Sequence, residues 1–191
     1  SISYEKPILV TKNQTIKAAY FENGKAKSAT IEQPFFITKS TGKKIELEHQ
    51  PHENYGIGGS FTLVDGMKGN PSKFGRDWLG FWGKDLNATI DLGKSETISK
   101  ISINTLLSKG SWIYYPKEIQ FLVSNDGINY QSIQTISQKE IEIKKGNVVI
   151  EFPKLKAKFI QIVAKNNGII ADGNPGAGSN SWLFVDEISV E

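Results

Sequence analysis

Apolar and polar residues alternate with a period of two along most of this chain. The pattern is clearest at residues 15–21 (TIKAAYF), 98–106 (ISKISINTL), 118–124 (EIQFLVS), 147–152 (NVVIEF), 159–164 (FIQIVA) and 183–190 (LFVDEISV). Branched and aromatic residues dominate these runs, which predicts strands. Turn sequences separate them at residues 22–25 (ENGK), 125–127 (NDG) and 145–147 (KGN), where Asn, Asp and Gly tolerate positive φ. No segment carries a convincing amphipathic-helix spacing. Many short strands without intervening helices predict an all-β antiparallel sandwich or jelly roll rather than a parallel sheet.

Residues 55–93 break the alternation. They open on Gly56, Gly58 and Gly59, carry Asp65-Gly66 in a turn, and set Trp78, Phe81 and Trp82 among glycines. A long aromatic loop inside a compact domain is usually functional. Flat rings beside Asn70, Arg76 and Asp77 suit recognition of a polar ring such as a sugar, and this segment is expected to be exposed.

All four tryptophans lie between Trp78 and Trp182, and none in residues 1–46. That shift predicts two unequal β units, a partial small sandwich over 1–46 and a larger one over 47–191. The first is too short for an independent core.

The 191 residues, 38% of them hydrophobic and 10% aromatic, suffice for a sizeable core. The net charge of +3 arises from 23 basic and 20 acidic residues spread along the chain, too diffuse a pattern for nucleic acid. No cysteine is present, so disulfides and thiolate metal sites are excluded. No apolar run reaches the roughly 20 residues that span a bilayer. The chain opens at Ser1-Ile2-Ser3-Tyr4 without a signal-peptide pattern or an initiator methionine, which reads as part of a longer protein.

Two acidic positions stand out chemically, Asp65-Gly66 and Asp186-Glu187. In an alternating strand, Asp186 and Glu187 point to opposite faces, and the inward carboxylate needs a partner. Calcium takes about six to eight oxygens, so Asp65, Asn70 and Glu187 with neighbouring carbonyls are one solution; solvent exposure or a lysine is the other. Each of Trp78, Trp82, Trp112 and Trp182 can stack on a sugar or plug the end of a sandwich. The loop 168–181 forms a site edge or a loose connection. Only His49 and His52 are present, both in the linker between the units, which disfavours a Ser-His-Asp arrangement or a histidine metal site. A carboxylate pair for glycoside hydrolysis needs a separation of about 5 to 10 Å, and Asp65 and Glu187 each have a simpler structural explanation.

Residues 47–191 resemble the coagulation factor V/VIII type C, or discoidin, domain. The likeness rests on LVDG, ATIDLG, PKEIQFLVSNDGINY and the terminal WLFVDEISV. It implies a jelly-roll β-sandwich of galactose-binding-like type, grouped with carbohydrate-binding module family 32 where such domains bind sugars. TIKAAYFENGK and FFITKSTGKKIEL resemble the end of the small β domain of bacterial glycoside hydrolase family 20 enzymes, the chitobiase and β-N-acetylhexosaminidase group. WLGFWGKDLNATIDLG and GSWIYYPKEIQF are close to the discoidin modules attached to those enzymes. Their catalytic H-x-G-G-D-E is absent here.

The resemblance implies a calcium site in which Asp65 and Glu187 contribute side chains. Thr62, Met67 and Asp186 fall where the family uses backbone carbonyls, and Asn70 where it uses a side-chain oxygen. It places sugar contacts on the loops 76–82, 108–115 and 166–182, with Arg76, Trp82, Trp112 and Tyr114 preferred and Trp182 expected to be buried; the family's usual histidine is missing from all three. The function implied is a non-catalytic carbohydrate-binding module of a periplasmic, outer-membrane-associated or secreted β-N-acetylhexosaminidase. Its expected partners are N-acetylhexosamine- or galactose-type glycans and the enzyme's catalytic domain, with neither nucleic acid nor membrane among them. The alternative is a structural spacer or protein-interaction module.

Overall fold

The computed structural model describes residues 2–191, without the side chain of Phe74; Ser1 lies outside the described residues. The chain forms two compact units that divide between Ile37 and Thr38. In the first, β1 (Gln14–Ala18) pairs antiparallel with β4 (Ile31–Phe35). Between them β2 (Phe21–Glu22) and β3 (Lys25–Ala26) make a hairpin. Its turn residues Asn23 and Gly24 both have positive φ, at 49° and 74°, as the ENGK sequence predicts. No side chain of residues 2–37 is buried. Ile2, Tyr4, Leu9, Tyr20, Phe21 and Ile31 are all more than half exposed.

The second unit is a β-sandwich. β5 (Lys44–Leu47) pairs with the first half of β7 (Leu86–Thr105), so residues 38–46 belong to this unit and not, as the sequence suggested, to the first. Next come α1 (Phe74–Asp77), β6 (Leu79–Trp82), β8 (Glu118–Ser124), β9 (Gln131–Ser137), α2 (Gln138–Ile143), β10 (Asn147–Lys165) and β11 (Trp182–Val190). The strand order is β6-β11-β7-β10-β8-β9. β7 and β10 are each long enough to serve both layers. Register shifts near residues 151–159 let their paired halves turn the corner. The alternating runs 147–152 and 159–164 are therefore one strand, joined through a bend.

Inward positions make the core. Ile90, Ile101, Ile103, Phe121, Ile160, Ile162, Leu183 and Val185 are each 0–1% exposed. Helix α2 is one that periodicity missed, because a single six-residue element cannot establish a 3.6-residue repeat. Local chemistry builds it instead. The Glu140 carboxylate accepts bonds from the Ser137 N–H at 2.9 Å and its hydroxyl at 2.6 Å, and Ile141 fills the core.

Candidate functional site

The acidic residues come together across the sandwich edge. Asp65 follows a 3-10 turn (Gly59–Leu63), and its Oδ1 accepts the Met67 N–H at 2.8 Å. Gly66 takes a left-handed φ of 77° and donates its N–H to Glu187 Oε2 at 3.1 Å. Gly69 donates to Asp186 Oδ2 at 2.6 Å, and the Asn104 amide reaches the same oxygen at 3.4 Å. The sequence expectation of one carboxylate per face is corrected here. A register shift between Asp186 and Ile188 leaves both Asp186 and Glu187 buried, 1% and 2% exposed, and both bonded to the loop 65–69.

Three carboxyls thus share one region without an ion pair to lysine or arginine among the described residues. Burial lifts Asp65 and Asp186 to about 6. Burial, then the adjacent Asp65, lifts Glu187 to about 9. Glu187 Oε1 is buried with no hydrogen-bond partner. An orphaned carboxylate oxygen in an oxygen-rich environment fits a hard cation. Among the described residues no three His, Cys, Asp or Glu converge as a ready-made cluster, so a cation here needs backbone carbonyls too. Thr62 is buried beside this loop. The carbonyl of Asn70 accepts from Trp78 Nε1 at 3.3 Å and its side-chain oxygen from Ser72 N–H at 2.8 Å, so both already serve the loop.

Two tryptophans meet through strand register. Trp82 ends β6 and Trp182 begins β11; the two are direct cross-strand partners with ring centroids 4.8 Å apart. Trp112 stacks on Trp82 at 6.2 Å with planes 28° apart, from a left-handed backbone position with φ 60°. Its carbonyl accepts the Trp182 N–H at 2.9 Å, and its indole packs against Gly176, where an added Cβ would lie 2.7 Å from the ring. Trp112 remains 40% exposed. Trp182 is half-buried, not enclosed.

The other sequence-predicted contacts divide. Trp78 and Phe81, expected to be exposed, are 4% and 1% exposed: Trp78 packs with Leu106, Ile113 and Phe184, while Phe81 faces the core one position before Trp82 turns outward. Tyr114 is buried, and its hydroxyl donates to Pro175 O at 2.8 Å, fixing the loop behind Trp112. Arg76 projects into solvent from α1, with Nε 3.8 Å from Asp77. The loop 168–181 is tightly held rather than loose. Asn166 donates to the carbonyls of Phe81, Lys84 and Ser181, and its Oδ1 accepts from Gly168 N–H and the Ser181 hydroxyl.

Two site residues escaped the sequence reading. His52, assigned to the linker, donates its N–H to Gly80 O at 2.8 Å and meets Trp182 edge-on at 5.1 Å. Tyr55 reaches the same tryptophan at 5.0 Å. No local pattern marks these two, because only the docking of residues 51–55 on β6 carries them to the tryptophans.

No curated protein sequence matches the chain. Several solved structures share its fold. CpGH89CBM32-5 from Clostridium perfringens, in complex with GalNAc-β-1,3-galactose, is 18% identical with a TM-score of 0.54, covering 81% of this chain and 99% of that one. Chitosan-binding module 1 of a chitosanase/glucanase from Paenibacillus sp. IK-5 is 16% identical with a TM-score of 0.53, covering 81% and 98%. A Streptococcus pneumoniae fucose binding module, SpX-3, is 16% identical with a TM-score of 0.52, covering 82% and 98%. A family model, F5/8 type C domain, matches residues 44–184, and the chain belongs to that family.

Proposed function

We propose that the chain is a non-catalytic carbohydrate-binding module that holds a secreted or periplasmic β-N-acetylhexosaminidase of glycoside hydrolase family 20 on glycans bearing N-acetylhexosamine or galactose. The observation that carries this reading is the partly exposed Trp112 ring braced by Trp82 at one end of the sandwich. Indole faces stack on the C–H faces of sugars, and the half-buried His52 beside Trp182 supplies a polar group to the region. Structural neighbours bind GalNAc-β-1,3-galactose, chitosan and fucose by their descriptions, which supports a saccharide as ligand class. The test is titration of Trp112→Ala against N-acetylhexosamine- and galactose-terminated glycans. Wild type is expected to bind with Kd between tens of micromolar and millimolar, and the variant not at all. Equal affinity removes Trp112 from the site, and sustained turnover of a chromogenic N-acetylglucosaminide by the pure chain overturns the non-catalytic assignment.

Calcium belongs to this proposal. Asp65 and Glu187, with Asn70 and the backbone carbonyls of Thr62, Met67 and Asp186, would hold the ion. When bound it neutralises the buried carboxylates and ties the loop 65–70 to β11. One observation favours a second role, contact with the parent enzyme's catalytic domain. Residues 2–37 leave Ile2, Tyr4, Leu9, Tyr20 and Ile31 more than 60% exposed, apolar surface that a neighbouring domain would cover.

A further inference from the structure

Beside the acidic loop lies a cleft of about 310 Å³ that neither the tryptophan cluster nor the carboxylates use. Its floor is apolar and rigid: Trp78, Leu106 and Tyr115 are each 4–8% exposed and packed into the sandwich. Its rim is cationic. Lys68 and Lys145 line it, both exposed, together with Asn104 and Asn147. No Asp or Glu lines it among the described residues; Glu142 lies outside it, near Tyr115, and Asp186 is 1% exposed and turned toward Gly69 and the Asn104 amide.

The geometry holds Lys145 in place. Its backbone is left-handed with φ 52°, and the following Gly146 is wedged so that a Cβ would lie 2.1 Å from Thr105 O and 2.7 Å from the Tyr115 ring. The Thr105 N–H and hydroxyl both donate to Gly146 O, at 2.8 and 3.3 Å. The backbone turn that carries Lys145 is therefore a fixed edge of the cleft. A volume of this size is at the lower end for small-molecule sites and admits one sugar ring.

We infer that this cleft is a second saccharide subsite selective for an acidic ring, a uronate or similarly charged residue, whose carboxylate meets Lys68 and Lys145 while its C–H face rests on the apolar floor. The inference rests on the glycan-binding reading above. It is distinct in chemistry from the Trp112 surface, which is built of indole rings rather than of a lysine pair beside an apolar floor.

The test titrates three ligands: a galacturonic acid trimer, its methyl ester, and a neutral N-acetylhexosamine or galactose glycan. Wild type is expected to bind the acid trimer about tenfold more tightly than the ester, with affinity falling as salt rises. The double variant Lys68→Gln, Lys145→Asn removes that preference and leaves the neutral glycan unchanged; asparagine keeps the left-handed turn accessible. Unaltered melting temperature confirms the fold. Equal affinity for acid and ester, or an acid preference that survives the double variant, overturns the subsite. If the neutral glycan binds while the acid trimer does not, only the subsite fails; if nothing binds, the carbohydrate reading fails with it.

Discussion

Asp186 and Glu187 are consecutive residues of one strand, yet both carboxylates bond the same loop, to Gly69 and Gly66 respectively. The register shift at this point makes that possible, and it concentrates buried negative charge beside Asp65. Such a cluster opposes folding unless a proton or a cation neutralises it.

Calcium is accordingly expected to stabilise the protein. At about a hundredfold over its Kd, a ligand confined to the folded state adds about 2.7 kcal/mol. For a chain of this size that corresponds to a rise in Tm of roughly 5–10 °C. Thermal melts with calcium and with EDTA measure it. Glu187→Gln keeps an acceptor for the Gly66 N–H but removes the charge that faces the ion, so its melt should lose the calcium response. A calcium response retained in Glu187→Gln rules Glu187 out as a ligand.

Trp112 and the loop 168–181 are expected to act together. Gly176 has φ 85°, and an added Cβ would meet the Trp112 ring at 2.7 Å. Gly176→Ala should therefore displace the indole or the loop and weaken glycan binding tenfold or more. The Tm should fall by only a few degrees, since the contact lies outside the main core. Titration beside a melt separates the two effects; undiminished affinity would show that the ring's placement is immaterial.

Much of the sandwich was legible because its strands obey a simple rule. β8 alternates, β11 runs largely apolar, and the turns at 22–25, 125–127 and 145–147 carry the residues their backbone demands. Continuity was less legible. The bends in β7 and β10 look in sequence like ends of strands, since exposed and irregular positions interrupt alternation whether or not the chain reverses. The candidate sites were read from side-chain type, which conveys chemistry but not depth. Trp78 and Trp82 share one glycine-flanked segment, yet only register decides that the first is enclosed and the second turns outward. His52 and Lys145 depend on contacts between elements distant in sequence, and no spacing rule reports those.

Asn166 is expected to be the most sensitive polar residue of the loop end. It is 6% exposed, and its amide joins β6, the 83–85 turn and the base of the loop 168–181. Asn166→Ala leaves several buried backbone groups short of a partner, at about 1–3 kcal/mol for each group left unsatisfied. A Tm drop of roughly 5–10 °C is the expected result in a melt, and a change below 2 °C would contradict this assignment.

Asp126 carries a pH-dependent share of the β8–β9 hairpin. Asn129, through its side-chain amide and N–H, with the Ile128 N–H and the Ser124 hydroxyl, holds its carboxyl well below the usual carboxylate range. A depressed folded pKa means the charged form stabilises the fold. That contribution is complete above the ordinary value of 3.8 and declines as pH falls through the lower folded value. Asp126→Asn should melt earlier than wild type at pH 7, with the gap narrowing at acidic pH below 3.8. Melts of both proteins from pH 7 down to the acid limit of stability check it, and a gap that widens on acidification refutes the sign.

Gly146 separates backbone preference from steric contact. Its φ of 79° disfavours any side chain, and a Cβ would meet Thr105 O at 2.1 Å, a backbone atom that cannot swing away. Gly173 has nearly the same φ, 80°, with nothing within 4 Å of its Cβ position. Gly173→Ala should thus cost about 1 kcal/mol from the left-handed backbone alone. Gly146→Ala adds the collision, for about 3 kcal/mol or more in all. It also shifts the turn that carries Lys145, so any preference for an acidic sugar should fade in the surviving folded protein. Denaturant titration of the two variants, compared at constant slope, measures the difference directly. Equal losses at both glycines would mean that the 144–147 turn yields freely, and the fixed placement of Lys145 would fall with it.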